Sequence, residues 1–390
     1  MRTLETTPLG SRSRWRRALR SYQEGRATPW RDSVCNAPRT NLYFTVDGQV
    51  APCWKYFPSP TPRWSPERSI ADLWHGPELT RVRDALAEGR FLDRCAECRH
   101  DIATGDRPLA AAYDNDRPIG PWPSMLEMEL SNVCNLECTM CNGQLSSMIR
   151  RNREHRPPLV SPYDETFVDQ LDELIPHLAE IRFNGGEPFL HAIVHQIADR
   201  VAEIRPELRI TIATNGTVLN AKVRRMLERN NIHLNVSIDS LVPERYEAIR
   251  VHADFSRLME NFGEFHAYCR ANERELCVMV NPMRSNWSEM SDYLWWAAER
   301  RTRLWFNTIL EPGHLALHNL PAAELASISD EMAARDLPAP DGPIDEGNAG
   351  VYRAWLHQLE TWRHAAEADP ARDRGVPVVL GPRSRPAEGR

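Results

Sequence analysis

The sequence predicts an α/β fold built on parallel strands, flanked by smaller modules. Between Ser124 and Pro312, short runs rich in Val, Ile and Leu alternate with helical patterns, the signal of strands joined by crossover helices. Short polar motifs follow several of these runs: Gly185-Gly186-Glu187-Pro188, Thr214-Asn215-Gly216 and Ser237-Ile238-Asp239. Parallel βα folds collect their chemistry at the C-terminal ends of their strands. Beyond Glu311-Pro312-Gly313 the strand signal stops and helical patterns alone remain.

At 390 residues the chain is long enough for two or three domains and a sizeable core. Its charged fraction of 26% and hydrophobic fraction of 42% are those of an ordinary globular protein, and a net charge of −6 gives no bulk argument for nucleic acid or membrane. Lys55 and Lys222 are the only lysines, so nearly all basic charge is arginine. The basic stretch Arg12 to Arg20 has no apolar segment after it, and no run is long and apolar enough to span a bilayer. Nine cysteines, an odd number without a secretory signal, point to a reducing cytoplasm and metal binding rather than disulfides.

In chain order, residues 1–30 read as a solvated, partly helical Arg-rich arm with Trp15 and Trp30. Residues 31–100 form a small module. Its Leu42–Val46 strand, Asp47-Gly48 turn and Gln49–Cys53 return strand make a hairpin. A Pro-rich stretch over 58–66 leads to a helix from Ser69 and another from Pro77, with Leu79, Val82 and Leu86 on one face. Gly89 ends it, before Cys95-x2-Cys98. Residues 101–123 are a polar linker, 124–312 the βα domain and 313–390 a helical extension with a mobile Pro/Arg tail from Asp369. Predicted strands of the βα domain are Met125–Leu130, Glu180–Asn184, Arg209–Thr214, His233–Ile238, Leu276–Asn281 and Leu304–Leu310. Helices are expected over Phe167–Leu178, Ile193–Ile204, Lys222–Asn230, Phe255–Asn272 and Met290–Arg300, then Pro321–Arg335 and Tyr352–Glu367, with a break over 338–347.

The densest chemical signal is Cys134-x3-Cys138-x2-Cys141, directly after the first strand. Three thiolates ligate three irons of a [4Fe–4S] cube, and with no fourth cysteine nearby the last iron stays open to a small chelating molecule. The alternative, a zinc knot, wants four protein ligands. This frame and its position resemble the radical S-adenosylmethionine (SAM) superfamily, whose partial (β/α)6 barrel matches the six βα units in order. The resemblance implies reductive cleavage of SAM to a 5′-deoxyadenosyl radical, with an electron from a carrier such as flavodoxin or ferredoxin. It also implies cofactor roles: Gly185, Gly186, Glu187 and Pro188 at the methionine amino group, Asn215, Ser237 and Asp239 lining SAM, Arg250 pairing its carboxylate, and Met140 bordering the adenine. Locally, GGEP and Asn215-Gly216 also read as turns, and Arg250 as a surface arginine.

Cys35, Cys53, Cys95 and Cys98 could complete one [4Fe–4S] cube or a four-cysteine zinc site. The pattern Cys35-x12-Gly48-x4-Cys53 with Cys95-x2-Cys98 resembles a SPASM domain, or its shorter twitch version, which implies an auxiliary [4Fe–4S] cluster. Such modules usually follow the barrel; here the module precedes it.

The motifs specify generation of a radical, not its target. Cys269 falls on a helix and reads as structural. Alternation puts Cys277, Met279 and Asn281 on one strand face, so Cys277 is the candidate hydrogen-atom donor; a buried core cysteine is the alternative. The expected reaction is epimerisation or another C–H modification of a specialised metabolite such as an antibiotic sugar. The alternative is a peptide-modifying or dehydrogenating enzyme with the auxiliary cluster as electron acceptor. Substrates are thus a small molecule or a peptide, and neither nucleic acid nor membrane is expected as a partner.

Overall fold

The computed structural model describes residues 12–57, 60–105, 108–115 and 119–368. The expected tail from Asp369 and the first eleven residues of the arm lie outside them. The chain forms two compact units. One runs to Cys134 and adds Gly143–Ala213 and Val218–His233; the other holds Asn135–Asn142, Thr214–Thr217 and the chain from Leu234.

The first unit begins with α1 (Arg12–Glu24) and α2 (Ala37–Thr40). The predicted hairpin follows as β1 (Asn41–Phe44) and β2 (Val50–Ala51), antiparallel, with Gly48 at φ +84° in the turn. Then come α3 (Ile70–His75), α4 (Pro77–Ala87) and α5 (Ala96–Thr104). Ser69 and Asp72 form a reciprocal capping box at the start of α3. The βα series continues through β3 (Met125–Met128), α6 (Ser147–Asn152), α7 (Glu165–Gln170), β4 (Glu180–Phe183), α8 (Ala192–Ile204), β5 (Arg209–Thr214) and α9 (Ala221–Arg229). β1 pairs parallel with β3, β3 with β4 and β4 with β5. The hairpin module is therefore hydrogen-bonded directly to the first strand of the βα series, a long-range pairing that no local pattern announces.

The second unit carries β6 (Asn231–Ser237) from Leu234 on, then α10 (Pro243–Ile249), α11 (Phe255–Ala271), β7 (Leu276–Val280), α12 (Met290–Arg300), β8 (Arg303–Phe306), α13 (Ala322–Ala333) and α14 (Pro343–Ala368). β6 pairs parallel with β7, and β7 with β8. The six strands β3 to β8, each followed by helix, give the expected α/β class with its helical C-terminal region. In this unit one face of the strands is packed: Leu234, Val236, Leu276, Val278, Val280 and Leu304 are buried. The alternating residues Asn235, Ser237, Cys277, Met279, Arg303 and Trp305 keep partial or full exposure.

Several elements depart from the expected bounds. The helix predicted over Phe167–Leu178 stops at Gln170 and passes through turns to a 3₁₀ turn at Ile175–His177, where Pro176 has no N–H to give to the carbonyl of Asp172. The last helix begins at Pro343 rather than Tyr352. Proline is well suited to the first helical position, and Asp345 and Glu346 in the first turn favour the positive end of the helix.

Candidate functional site

In the second unit, the loop that bears Cys138 and Cys141 is clamped by polar contacts along its length. Asn135 donates to Thr217 Oγ1 (2.8 Å) and accepts from Asn215 Nδ2 (2.9 Å). Glu137 N–H donates to Val251 O (3.1 Å) and Thr139 N–H to Ile249 O (2.9 Å), while His252 lies 3.0 Å from the Glu137 carboxylate. Asn215 thus meets the loop itself. Met140 and Ser237 are partly exposed, and Cys141 beside Met140 is open as well.

Cys138 is buried and faces Arg250, whose Nη1 lies 3.9 Å from its sulfur. Arg250 is in turn paired with Asp239, at 2.8 Å from Nε and 2.7 Å from Nη2. Asp239 is wholly buried, and its second oxygen accepts the backbone and side-chain N–H of Asn281, both at 2.8 Å. Asn286 closes the arrangement by donating to the carbonyls of Asp239 (2.6 Å) and Asn281 (3.0 Å). Burial pushes the Cys138 thiol up, and Arg250 opposes it. Burial alone would lower the pKa of Arg250, but Asp239 and the Cys138 sulfur hold the guanidinium protonated.

β6 ends at Ser237, and the Asp239 carboxylate two residues on is buried while Ser237 keeps partial exposure. Asp239 and Arg250 hold each other beside Cys138, with Asn281 on the second carboxylate oxygen. Glu289 is a residue the sequence reading missed. Its buried carboxylate accepts from Ser240 Oγ (2.8 and 2.9 Å), Leu241 N–H (2.7 Å) and Arg245, which fixes the turn after Asp239.

In the first unit, Gly185 and Gly186 adopt φ +75° and +54°. A Cβ on Gly186 would lie 2.6 Å from Val133 O, so only glycine permits this approach to the backbone just before Cys134. Glu187 N–H donates to Val133 O (2.8 Å), and its buried carboxylate accepts Phe189 N–H (3.2 Å), beside the buried Pro188. His191, also missed from sequence, places Nε2 2.9 Å from the same Val133 carbonyl, and burial lowers its pKa to about 4.

Cys35, Cys53, Cys95 and Cys98 line one cavity in the first unit, together with Tyr56, Leu86, Phe91, Leu109 and Tyr113. Four thiols lining one cavity match the four ligands that a fully coordinated cube needs. Burial pushes every one of these thiols up, Cys53 to about 11 and Cys95 to about 12, so an apolar wall surrounds ligands that need positive metal to ionise.

The cavity wall continues into a polar ladder unforeseen from sequence, although Glu127 and Arg182 stand out in otherwise apolar strands. Tyr113 OH (2.9 Å) and Asn41 Nδ2 (2.8 Å) donate to Glu127, which lies 3.7 Å from Arg182 on the paired position of β4. Arg182 pairs with Glu180 (2.9 Å), which also accepts from Thr211 (2.7 Å). Cys277 is half-buried on the accessible face of β7, with Met279 sulfur 3.9 Å away, and burial pushes its thiol up to about 12. Cys269 is buried on α11, as expected of a structural cysteine.

Residues 128–285 match the radical SAM superfamily, and residues 35–99 match the SPASM iron–sulfur cluster-binding domain. Together these domains imply two [4Fe–4S] clusters and SAM. Curated relatives include GTP 3′,8-cyclases of Klebsiella pneumoniae (26% identical; 60% of this chain, 64% of the relative) and Rhizobium etli (28%; 39% and 43%). The cyclase of Streptomyces coelicolor is 28% identical over 46% of this chain and 51% of its own. The chain thus spans between two fifths and two thirds of these relatives. Among solved structures, anSMEcpe with bound AdoMet aligns at 16% identity and a TM-score of 0.41 over 54% of this chain and 58% of its own. Streptococcus suis SuiB bound to S-adenosylmethionine aligns at 12% and 0.41 over 66% and 56%.

Proposed function

We propose, from the premise that residues 128–285 are a radical SAM domain and residues 35–99 an iron–sulfur cluster-binding SPASM domain, that this enzyme inverts a carbon centre of a small, ring-bearing metabolite. Cys134, Cys138 and Cys141 are the residues to hold the SAM-binding cluster, and Cys35, Cys53, Cys95 and Cys98 the auxiliary one. When bound, SAM and its cluster supply a 5′-deoxyadenosyl radical that removes a hydrogen atom from the substrate. Arg250 and Asp239 fix Cys138 in place, Asn215 braces the cluster loop, and the GGEP segment holds the backbone ahead of Cys134.

The observation that carries the inversion is Cys277. It stands on the accessible face of β7, opposite Arg303 in register and beside Met279, which itself pairs with Trp305. With its thiol pushed up to about 12, it stays protonated at neutral pH and keeps a hydrogen atom to give. The S–H bond breaks as the substrate C–H bond forms on the second face. One electron and one proton then restore the thiol, and both electrons of the turnover come from an external one-electron carrier. Trp305, 49% exposed, offers a surface for a ring, with Arg303 one residue row away. That the curated relatives act on GTP supports a small-molecule ring over a polypeptide.

A dehydrogenation is the second reading. The four-thiol cavity and its Tyr113–Glu127–Arg182 contacts favour it, since a fully ligated cluster has no open iron and suits electron uptake. Turnover in heavy water separates the two. Inversion through Cys277 puts one deuterium at the inverted carbon, and Cys277→Ala keeps 5′-deoxyadenosine formation while losing the inverted product. A product two electrons more oxidised, with no deuterium, assigns the second reading. Deuterated, inverted product from Cys277→Ala removes this residue as the donor.

A further inference from the structure

Reductive cleavage of SAM consumes an electron that no residue of this chain generates, so a carrier must reach a cluster. The first unit presents a surface suited to one. Helix α1 is amphipathic. On its inner side Trp15 packs edge-on to Phe91 (5.8 Å between ring centres), and Leu19 packs against the cluster of Val34, Tyr56, Val82 and Leu86. That same cluster touches Cys35, Cys53 and Cys95, and α1 also lies on α5, which carries Cys98. The helix is thus an outer wall of the four-cysteine module.

Its outer side is Arg14, Arg16, Arg17 and Arg20, all exposed and none in an ion pair or side-chain hydrogen bond among the described residues. Arg16 and Arg20 stand one turn apart, as do Arg14 and Arg17, and like charges at that spacing oppose helix formation. Of the other basic groups nearby, Lys55 is matched by Glu97 and Arg90 by Glu88, and Arg99 lies over the Trp15 ring, while Arg94, which lines the cavity, is exposed. In a chain of net charge −6, four unmatched arginines on one helix face are a local reversal of sign. Trp54, the neighbour of Cys53, is 47% exposed and gives the module an open aromatic beside a cluster ligand.

We propose that the arginine face of α1 is the docking surface for an acidic one-electron carrier protein that reduces the auxiliary cluster. The step is balanced: the carrier loses one electron and the cluster gains it, with no bond made or broken. The proposal rests on the reading that Cys35, Cys53, Cys95 and Cys98 hold that cluster. An electron carrier is favoured over nucleic acid or an anionic membrane because the helix covers the cluster module, a location those polyanions have no use for.

The test is stopped-flow reduction of the full reconstituted chain by an acidic flavodoxin hydroquinone, at low and high salt. The auxiliary cluster is read alone in a parallel Cys134→Ala, Cys138→Ala, Cys141→Ala variant. With Arg16, Arg17 and Arg20 all changed to Glu, the second-order rate constant should fall at least ~10-fold at low salt and lose its salt dependence. The triple Gln variant, which keeps helix-forming side chains, should show a smaller fall, and the triple Lys variant should stay near wild type. Dithionite should reduce all of them equally. Unchanged flavodoxin kinetics in the Glu and Gln variants overturns the proposal. So does unchanged kinetics with lost binding to duplex DNA or anionic vesicles, which would assign the face to those polyanions. Absence of a cluster in the wild-type module overturns the underlying reading instead, and iron content reports that separately.

Discussion

The two cysteine sets are built by opposite means. Cys134, Cys138 and Cys141 fall within eight residues, and the part of their loop from Asn135 to Cys141 is held by hydrogen bonds to Asn215, Thr217, Ile249 and Val251. Cys138 has a guanidinium facing it. The other four cysteines come from segments up to 63 positions apart, between Cys35 and Cys98, and line a cavity with Leu86, Phe91 and Leu109, with no arginine or histidine donating to a thiol among the described residues. A polar clamp orients a loop that must leave one iron open. An apolar wall suits a cube that is fully ligated and needs only insulation.

The largest effects should come from deleting either set. The reconstituted chain should carry about eight irons, and changing Cys134, Cys138 and Cys141 to Ala should leave about four and abolish 5′-deoxyadenosine formation. Changing Cys35, Cys53, Cys95 and Cys98 to Ala should also leave about four, with SAM cleavage by dithionite-reduced enzyme retained. Zinc in the four-cysteine cavity after anaerobic purification would break the comparison.

A smaller effect is expected inside the polar clamp. Asp239→Ala strands the Arg250 guanidinium in the interior, and an uncompensated buried charge of this kind costs about 3–5 kcal/mol. Urea unfolding should register that loss, whereas Asp239→Ala together with Arg250→Leu should recover much of it. Arg250→Gln should lower the reduction potential of the SAM-binding cluster, since a positive N–H donor to a ligating sulfur favours the reduced form. An unmoved potential with unchanged iron content would separate Arg250 from Cys138 in function.

The contrast also explains what was legible in the sequence. The C-x3-C-x2-C frame, GGEP and the six βα units are local patterns, so spacing and periodicity expose them. The approach of Arg250 to Cys138 joins positions 112 apart, and the pairing of β1 with β3 joins residues more than eighty apart. Neither leaves a periodic trace. The burial of Asp239 leaves no local trace either: alternation holds only while the strand lasts, and β6 ends two residues earlier. Glu289 and His191 carry no motif at all. Their signal is a polar side chain in an apolar setting, which becomes informative only once burial is known.

The smallest predicted effect is on acid stability, and it sharpens the difference between clamp and cavity. His191 is buried with its ring on the Val133 carbonyl, just ahead of Cys134, and burial lowers its pKa from 6.5 to about 4. Above pH 6.5 the ring is neutral in both folded and unfolded chains, so its contribution is complete there. As pH falls below 6.5 the unfolded chain takes up a proton that the folded chain refuses until about pH 4, and stability is lost across that window. A shift of this size corresponds to about 3 kcal/mol at the acid end. In the cluster-free chain the cavity cysteines take no part, because thiols pushed up by burial are neutral in folded and unfolded chains alike at these pH values. Denaturant titrations between pH 7 and pH 4 should therefore show a decline that is shallower in His191→Asn, which cannot titrate, even if that variant starts from a lower stability at pH 7. Parallel slopes in the two proteins would mean that His191 is not the group that links acid to the backbone ahead of Cys134.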